Sequence, residues 1–153
     1  MPQPPSQNRD FIRVGKSRIA GTGVFARRKI PRGTRIIEYT GEPVSLNEVY
    51  SGTYAFALND TTVIDGARGG NEARFFNHSC DPNCEAYIFD GHAYLYAMRD
   101  IVRDEELTFD YHMGPADRTT RLRYDTARYP CRCGAANCRG TLIQGRRHHE
   151  ATR

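Results

Sequence analysis

The segment at positions 74–83 has the residue types of a binding or reaction site. It reads Arg-Phe-Phe-Asn-His-Ser-Cys-Asp-Pro-Asn and combines amide, imidazole and thiol groups within ten positions. Because Pro82 restricts the backbone, we expect a firmly held loop, which is a common place for functional residues. An ordinary Asx or proline turn with His78 bonded to the core is the simpler alternative. A Cys80–His78 nucleophile is disfavoured, because the fold usually brings such pairs together from distant positions.

A second group of reactive side chains lies near the C-terminus. Three of the five cysteines are Cys131, Cys133 and Cys138. An odd count with close spacing favours metal ligation in a reducing compartment over disulfides. Structural zinc takes four tetrahedral ligands, so one more thiol is required. Either Cys80 or Cys84 remains to supply it, and a zinc ion would then join the two regions.

The glycines near the N-terminus permit two interpretations. Gly-Thr-Gly-Val-Phe-Ala at positions 21–26 formally matches the dinucleotide-binding fingerprint. That fingerprint opens a long helix, whereas Pro31 and Gly33 interrupt this segment and no amphipathic period follows. The glycines therefore indicate a tight turn or another kind of ligand contact.

The elements that would position these groups are predicted to be mainly β. Short apolar runs recur between turn signals at residues 11–14, 24–26, 35–39, 54–58, 62–65, 86–89, 92–98 and 107–111. Pro31-Arg32-Gly33 is typical of a turn, and Asp90-Gly91 between aromatic-rich runs predicts a two-residue hairpin.

Little helix is expected. A capping box at residues 45–48 predicts a short helix ending at Gly52, and residues 71–76 predict one or two further turns. The polar segment 113–130 is interpreted as a loop or short helix before the cysteines.

Length and charge limit the function classes. A chain of 153 residues fits a single domain with its own core, and no apolar run is long enough to cross a bilayer, so we expect an intracellular protein without a membrane span. The net charge of +4 is modest. A basic cluster near the C-terminus is interpreted as a solvated tail with at most weak contact to nucleic acid; it comprises Arg146, Arg147, His148, His149 and Arg153.

Five segments, in chain order from Phe11 to Leu142, resemble motifs of the SET family of protein-lysine methyltransferases. They are Gly21-Thr22-Gly23, Tyr39-Thr40-Gly41-Glu42, the segment 74–83, Glu106-Leu107-Thr108-Phe109-Asp110-Tyr111 and the cysteine segment 131–142. The resemblance implies a mainly β fold of small curved sheets, with a pseudoknot between segment 77–83 and the strand 106–111. It divides the chain into a disordered N-terminal tail (1–10), a SET domain (11–113), a linker with a post-SET zinc module (114–143) and a basic C-terminal tail (144–153).

The resemblance also implies the ligands. S-adenosylmethionine (SAM) would donate a methyl group to a lysine ε-amine. The expected cofactor-binding residues are Gly21, Thr22, Gly23, Tyr54, Arg74, Phe75, Asn77, His78 and Tyr111. The expected zinc ligands are Cys80, Cys131, Cys133 and Cys138, which would leave Cys84 as a buried or free thiol.

Three aromatic residues are expected at the reaction centre. Tyr111 is the expected principal catalytic residue, and Tyr39 a second hydroxyl that orients the amine. Phe109, two positions before Tyr111 on the same side of a strand, would face the lysine channel and favour di- or trimethylation.

The substrate is left open between a histone tail and another basic protein. The chain resembles the minimal, free-standing SET proteins in two respects. Its segment between Glu42 and Tyr54 is short, and no cysteine-rich segment precedes Phe11. One alternative is an inert SET-fold module that holds zinc and a peptide. Another is a small zinc-bearing nucleic-acid binder, suggested by the pI near 8.9, but no stacking platform or groove-reading helix is apparent.

Overall fold

The computed structural model describes residues 9–45, 54–59, 61–112 and 129–142. Within these ranges the chain forms ten strands in three small sheets, which confirms the mainly β prediction. The strands are β1 (Ile12–Lys16), β2 (Thr22–Ala26), β3 (Arg35–Tyr39), β4 (Glu42–Ser45), β5 (Ala55–Ala57), β6 (Thr62–Asp65), β7 (Asn77–His78), β8 (Cys84–Phe89), β9 (His92–Ala97) and β10 (Glu106–Phe109). Two short 3₁₀ helices, Arg9–Phe11 and Glu72–Phe75, accompany them.

The sheet that carries most of the predicted motifs has the order β1-β2-β10-β7. Its pairs are antiparallel except β10 with β7, which run parallel with Thr108 opposite Asn77 and Phe109 opposite His78. The buried Asn83 side chain fixes this arrangement, because it accepts from the Thr108 amide at 2.9 Å and donates to the Glu106 carbonyl at 2.8 Å. The segment around Asn77 and the strand before Tyr111 are therefore neighbours, as the resemblance implies.

The other two sheets have the orders β3-β9-β8 and β4-β6-β5. The β8–β9 hairpin turns at Asp90 and Gly91, whose φ angles are 51° and 76°. Two successive positive φ angles are those of the type I′ turn that Asp-Gly favours, so the hairpin prediction is confirmed. Pro43 lies in β4, an edge strand, where the missing amide hydrogen leaves no unmade ladder bond.

The hydrophobic core lies between the sheets and holds β10 in place. Val24, Leu95 and Leu107 are fully buried, one each on β2, β9 and β10. Burying a side chain of this size stabilises the fold by roughly 1.5–3 kcal/mol. The strand that leads to Tyr111 is therefore anchored on a packed interior.

Local sequence patterns predicted some of the helices and strands and missed others. The predicted turn at 71–76 is the helix Glu72–Phe75, and the Asn71 side chain caps it by accepting from the Ala73 amide at 3.1 Å. Strands β4 and β7 were not predicted. The short helix expected to end at Gly52, most of the 113–130 loop, residues 1–8 of the N-terminal tail and the basic tail 144–153 lie outside the described residues. Arg9 and Asp10, which end the expected N-terminal tail, belong to the 3₁₀ helix Arg9–Phe11. No helix in the described ranges is long and apolar enough to cross a membrane.

Candidate active site and metal site

A row of aromatic rings joins the three residues predicted at the reaction centre. Ring centroids lie 5.2 Å apart for Tyr39 and Phe56, 6.1 Å for Phe56 and Phe109, and 4.9 Å for Phe109 and Tyr111. Tyr39 and Phe109 are buried. Phe56 completes the row from β5 and was not singled out from the sequence, because one phenylalanine in a short strand carries no special signal. The row forms an apolar aromatic environment next to two hydroxyl groups.

Tyr111 is held at both its backbone and its side chain. Its hydroxyl donates to the Phe76 carbonyl at 2.5 Å, and its amide donates to His78 Nδ1 at 3.0 Å. Burial raises the pKa of Tyr111 well above its usual value. The hydroxyl is therefore neutral near pH 7 and has a fixed orientation.

Gly66 makes room beside the Tyr39 hydroxyl. A Cβ at this position would lie 2.9 Å from the Tyr39 hydroxyl oxygen and 3.1 Å from the Arg74 Cβ. The Gly66 amide donates to the Tyr54 carbonyl at 2.7 Å. Glycine is thus required here because the Tyr39 and Arg74 side chains approach the backbone closely. The only sequence feature that pointed to this role was a glycine directly after the strand 62–65.

Tyr111 also borders a cavity of about 350 Å³. The lining residues come from three parts of the chain: Ile19 and Ala20; Asn77, His78 and Tyr111; and Pro130, Arg132 and Leu142. A cavity of this size lies at the lower end of the range for small-molecule sites. Three of the predicted cofactor residues therefore share one pocket with the C-terminal segment.

The predicted glycine motif lies next to this pocket without lining it. Gly21, Thr22 and Gly23 are not among its lining residues. The Asn77 side chain, however, donates through Nδ2 to the Ala20 carbonyl at 3.0 Å and to the Thr22 carbonyl at 3.1 Å. Gly21 has a φ of 43°, in the region that favours glycine. The motif thus sets the shape of the loop that carries Ile19 and Ala20.

The Glu106 carboxylate connects the same elements and was missed from the sequence. Its Oε1 accepts from Ser17 Oγ at 2.7 Å and from Asn77 Nδ2 at 3.0 Å. A Cβ at Gly23 would overlap this oxygen, so only glycine fits there. Nothing local identifies Glu106 as an anchor, because its partners lie far away in the sequence.

The other predicted cofactor residues form a separate group. The Arg74 guanidinium lies 4.6 Å from the Phe75 ring centroid and 5.8 Å from that of Tyr54. Its Nη1 is 3.5 Å from the Gly66 carbonyl, and its buried Nε has no hydrogen-bond partner among the described residues. None of the three lines the cavity beside Asn77. They lie instead around Gly66, next to the Tyr39 hydroxyl.

His78 is a neutral connector between Tyr111 and a cysteine. Mainly because of burial, its pKa is lowered to about 4. Since Nδ1 accepts from the Tyr111 amide, the hydrogen resides on Nε2, which lies 3.4 Å from Cys80 Sγ. The imidazole therefore links the end of β10 with the first of the predicted metal ligands.

Four cysteines form a cluster with the geometry of a metal site. The Sγ atoms of Cys80, Cys131, Cys133 and Cys138 all lie within 4.8 Å of one another. Tetrahedral zinc with bonds of 2.3 Å places its sulfurs about 3.8 Å apart. The Cys80–Cys131 separation is 3.8 Å.

The clustered thiols shift one another's pKa values in opposite directions. Burial and the neighbouring thiols raise the pKa of Cys131 to about 12, whereas backbone amides and adjacent thiols lower that of Cys133 to about 6 despite its burial. Four adjacent thiolates repel one another, and a cation would relieve that repulsion. Cys84 is fully buried in the core, where burial raises its pKa to about 12, and it is not part of the cluster. Of the two candidates for the fourth thiol, the fold places Cys80 beside the other three cysteines.

The small sheets, the parallel pairing of β7 with β10 and the cysteine cluster define a SET-type β protein. The model of the SET domain family matches residues 21–112, and the chain belongs to this family.

Several histone-lysine N-methyltransferases are similar to this chain. One described as H3 lysine-4 specific, from Chaetomium globosum, is 38% identical over 86% of the chain and 13% of its own length. The protein TRX1 from Oryza sativa subsp. japonica is 41% identical over 86% of the chain and 14% of its length. Histone-lysine N-methyltransferase 2B from Homo sapiens is 36% identical over 88% of the chain and 5% of its length. The chain thus spans only a small fraction of these relatives.

Proposed function

We propose that this chain transfers methyl groups from SAM to a lysine ε-amine of a protein substrate. The observation that carries the proposal is the position of Tyr111, which belongs both to the aromatic row and to the cavity beside Asn77. A lysine side chain in the aromatic row and a cofactor in the cavity would meet at its hydroxyl. Because relatives are named for histone H3 lysine 4, that residue of the H3 tail is the first substrate to test. A histone or other intracellular basic protein as substrate would place the activity in the nucleus or cytoplasm.

The protein must present the lysine as a free amine. Free lysine has a pKa near 10.4, but an apolar channel disfavours the ammonium form. Tyr39, Phe56 and Phe109 supply such surroundings. The Tyr111 and Tyr39 hydroxyls would orient the nitrogen, and no strong general base is required.

The cofactor pocket is proposed to use both groups of residues around the aromatic row. When bound, SAM supplies the methyl group as part of a sulfonium. Asn77 and His78 would contact it from the cavity wall, and Gly21, Thr22 and Gly23 would let the backbone approach it closely. Arg74, Phe75 and Tyr54 would contribute from the side of Gly66. There the buried Arg74 Nε, which has no hydrogen-bond partner within the described ranges, is a donor available to an anionic or polar group.

The metal is proposed to be one structural zinc. Cys80, Cys131, Cys133 and Cys138 would fill all four tetrahedral positions, which leaves none for a reacting water. The metal would therefore order the segment 129–142, whose residues Pro130, Arg132 and Leu142 form one wall of the cavity.

The test combines cofactor binding with methyl transfer. Calorimetry with SAM is followed by mass spectrometry of an H3 tail peptide, with a peptide that carries alanine at lysine 4 as the control. We expect Tyr111→Phe to reduce turnover about 100-fold or more, as for the loss of one fixed polar group at a reaction centre, and to leave SAM affinity within a few-fold. The Phe76 carbonyl also loses its donor, so thermal unfolding must accompany the assay.

Three outcomes separate the hypotheses. Near-normal turnover by a folded Tyr111→Phe variant would remove the catalytic role of this residue. Peptide binding without any SAM binding by the wild type would favour the inert module. Transfer to other basic proteins but not to the H3 peptide would keep the activity and change the substrate.

A further inference from the structure

A half-buried ion pair joins the end of β10 to the cysteine segment. Arg139 Nη1 lies 2.8 Å from Asp110 Oδ2, and Arg139 Nη2 lies 3.3 Å from Asp110 Oδ1. The two side chains are 25% and 16% exposed. Asp110 directly precedes Tyr111, and Arg139 directly follows Cys138. The pair therefore connects the neighbour of the proposed catalytic tyrosine to the neighbour of a proposed metal ligand.

Three further contacts close a ring that includes this ion pair. The Arg139 amide donates to Cys80 Sγ at 3.4 Å. His78 Nε2 lies 3.4 Å from the same Cys80 sulfur, and His78 Nδ1 accepts from the Tyr111 amide at 3.0 Å. The end of β10 is thus linked to Cys80 by two routes, one through His78 and one through Asp110 and Arg139.

We propose that Asp110 and Arg139 are positioning residues that form a latch, which couples metal binding at the cysteine cluster to the placement of Tyr111. The catalytic consequence rests on the proposed function, whereas the latch itself can be measured without turnover. Arg139 Nη2 also donates to the Leu142 carbonyl at 3.0 Å, and Leu142 lines the cavity. Opening the latch would therefore release one wall of the proposed cofactor pocket.

The environment of this pair distinguishes it from other ion pairs of the described residues. Arg13 and Asp104 are 45% and 65% exposed and meet through one contact of 3.5 Å, a geometry that contributes little. The Asp110–Arg139 contact is bidentate and partly shielded from water. Although burial opposes ionisation, Arg139 and the His112 amide hold the pKa of Asp110 below its usual value.

Charge balance gives the latch its dependence on the metal. Four thiolates outweigh the charge of one Zn²⁺, so the loaded cluster is anionic. The Arg139 cation then lies between this cluster and the Asp110 carboxylate and interacts favourably with both. Loss of the metal would remove the ordered cluster and with it the position of the Arg139 backbone.

The test uses the zinc-loaded full chain and the variants Asp110→Asn, Arg139→Gln and their combination. Asp104→Asn is the matched control, since it removes an exposed carboxylate of another ion pair. We expect either single variant to release zinc to a colorimetric chelator about tenfold faster, and the double variant to be no faster than the faster single one. Hydrogen exchange should accelerate at the Cys131, Leu142 and Tyr111 amides, which are bonded to Gly140, Tyr129 and His78.

A second variant keeps the test decisive if Arg139→Gln fails to fold. Arg139→Lys retains the positive charge but cannot contact both Asp110 oxygens at once. Its rate of zinc release should therefore lie between those of the wild type and Arg139→Gln. Release and exchange equal to those of Asp104→Asn, or effects that add in the double variant, would overturn the latch. An inactive wild-type protein that shows the latch effects would overturn the proposed function alone.

Discussion

Phe109 is the residue whose surroundings bear most directly on product degree. Its ring is buried within the hydrophobic core cluster, with centroids 6.4 Å from the ring of Phe76 and 4.9 Å from that of Tyr111. A phenyl edge offers no hydrogen bond, so a water molecule beside the lysine amine would have no anchor at this position. Space is then available for a methyl group already carried by the nitrogen.

We therefore expect the wild-type protein to produce di- or trimethyl-lysine. Phe109→Tyr should shift the product towards monomethyl-lysine, because a new hydroxyl can hold water in the space that a first methyl group would need. The first transfer should stay largely intact. Mass spectrometry at exhaustive SAM measures this, and a wild-type product that stops at one methyl group would contradict the argument from Phe109.

At the scale of elements, one carboxylate fixes three segments that meet at the cavity. Glu106 on β10 receives hydrogen bonds from Ser17 on the β1–β2 connection and from Asn77 on β7. Because a Cβ at Gly23 would overlap the carboxylate, β2 lies directly against it. The shape of the proposed cofactor pocket thus depends on a residue that does not line it.

We expect Glu106→Ala to weaken SAM binding about 10-fold or more, since Asn77 and Ser17 lose a shared charged acceptor and the loop can relax. Glu106→Gln, which keeps one acceptor oxygen, should lose less. Calorimetry measures both, with Asp104→Asn as the control for removing a carboxylate from the surface. An alanine variant that binds SAM like the wild type would remove the anchoring role.

Sequence patterns identified these elements where the signal was local. The predicted strands 35–39 and 62–65 coincide with β3 and β6, and the Asp90-Gly91 turn is found as expected. Strand β4 was missed because Pro43 argues against a strand unless an edge position is known. Strand β7 has only two residues and exists through its pairing with β10.

The same limit applies to the site. Tyr39, Phe109 and Tyr111 were predicted through motifs, and the structure places their rings in one row with Phe56. Glu106 and Arg139 were missed because their roles depend on partners 89 and 29 residues away. Such contacts follow from tertiary structure, and spacing along the chain gives no sign of them.

At the scale of the whole molecule, the segment 129–142, which supplies three of the four clustered cysteines, lies apart from the hydrophobic core. The buried core cluster draws its residues from Ile12 to Phe109, and no residue described in the segment 129–142 belongs to it. The cysteine segment instead contacts the cavity and the end of β10. Removal of the metal should therefore disturb the site more than the stability of the core.

We expect chelation, or Cys133→Ser, to abolish most methyl transfer and to leave a cooperative unfolding transition with only a small change in Tm, because the core contacts persist. Elemental analysis of wild-type protein purified without chelator should give one zinc per chain.

Cys84→Ala is the matched control, since it removes a fully buried thiol that lies outside the cluster, and it should retain zinc while losing some stability. Zinc-free wild-type protein would refute the metal assignment. A Cys84→Ala protein that loses zinc while Cys80→Ala retains it would show that the fourth ligand had been assigned to the wrong cysteine.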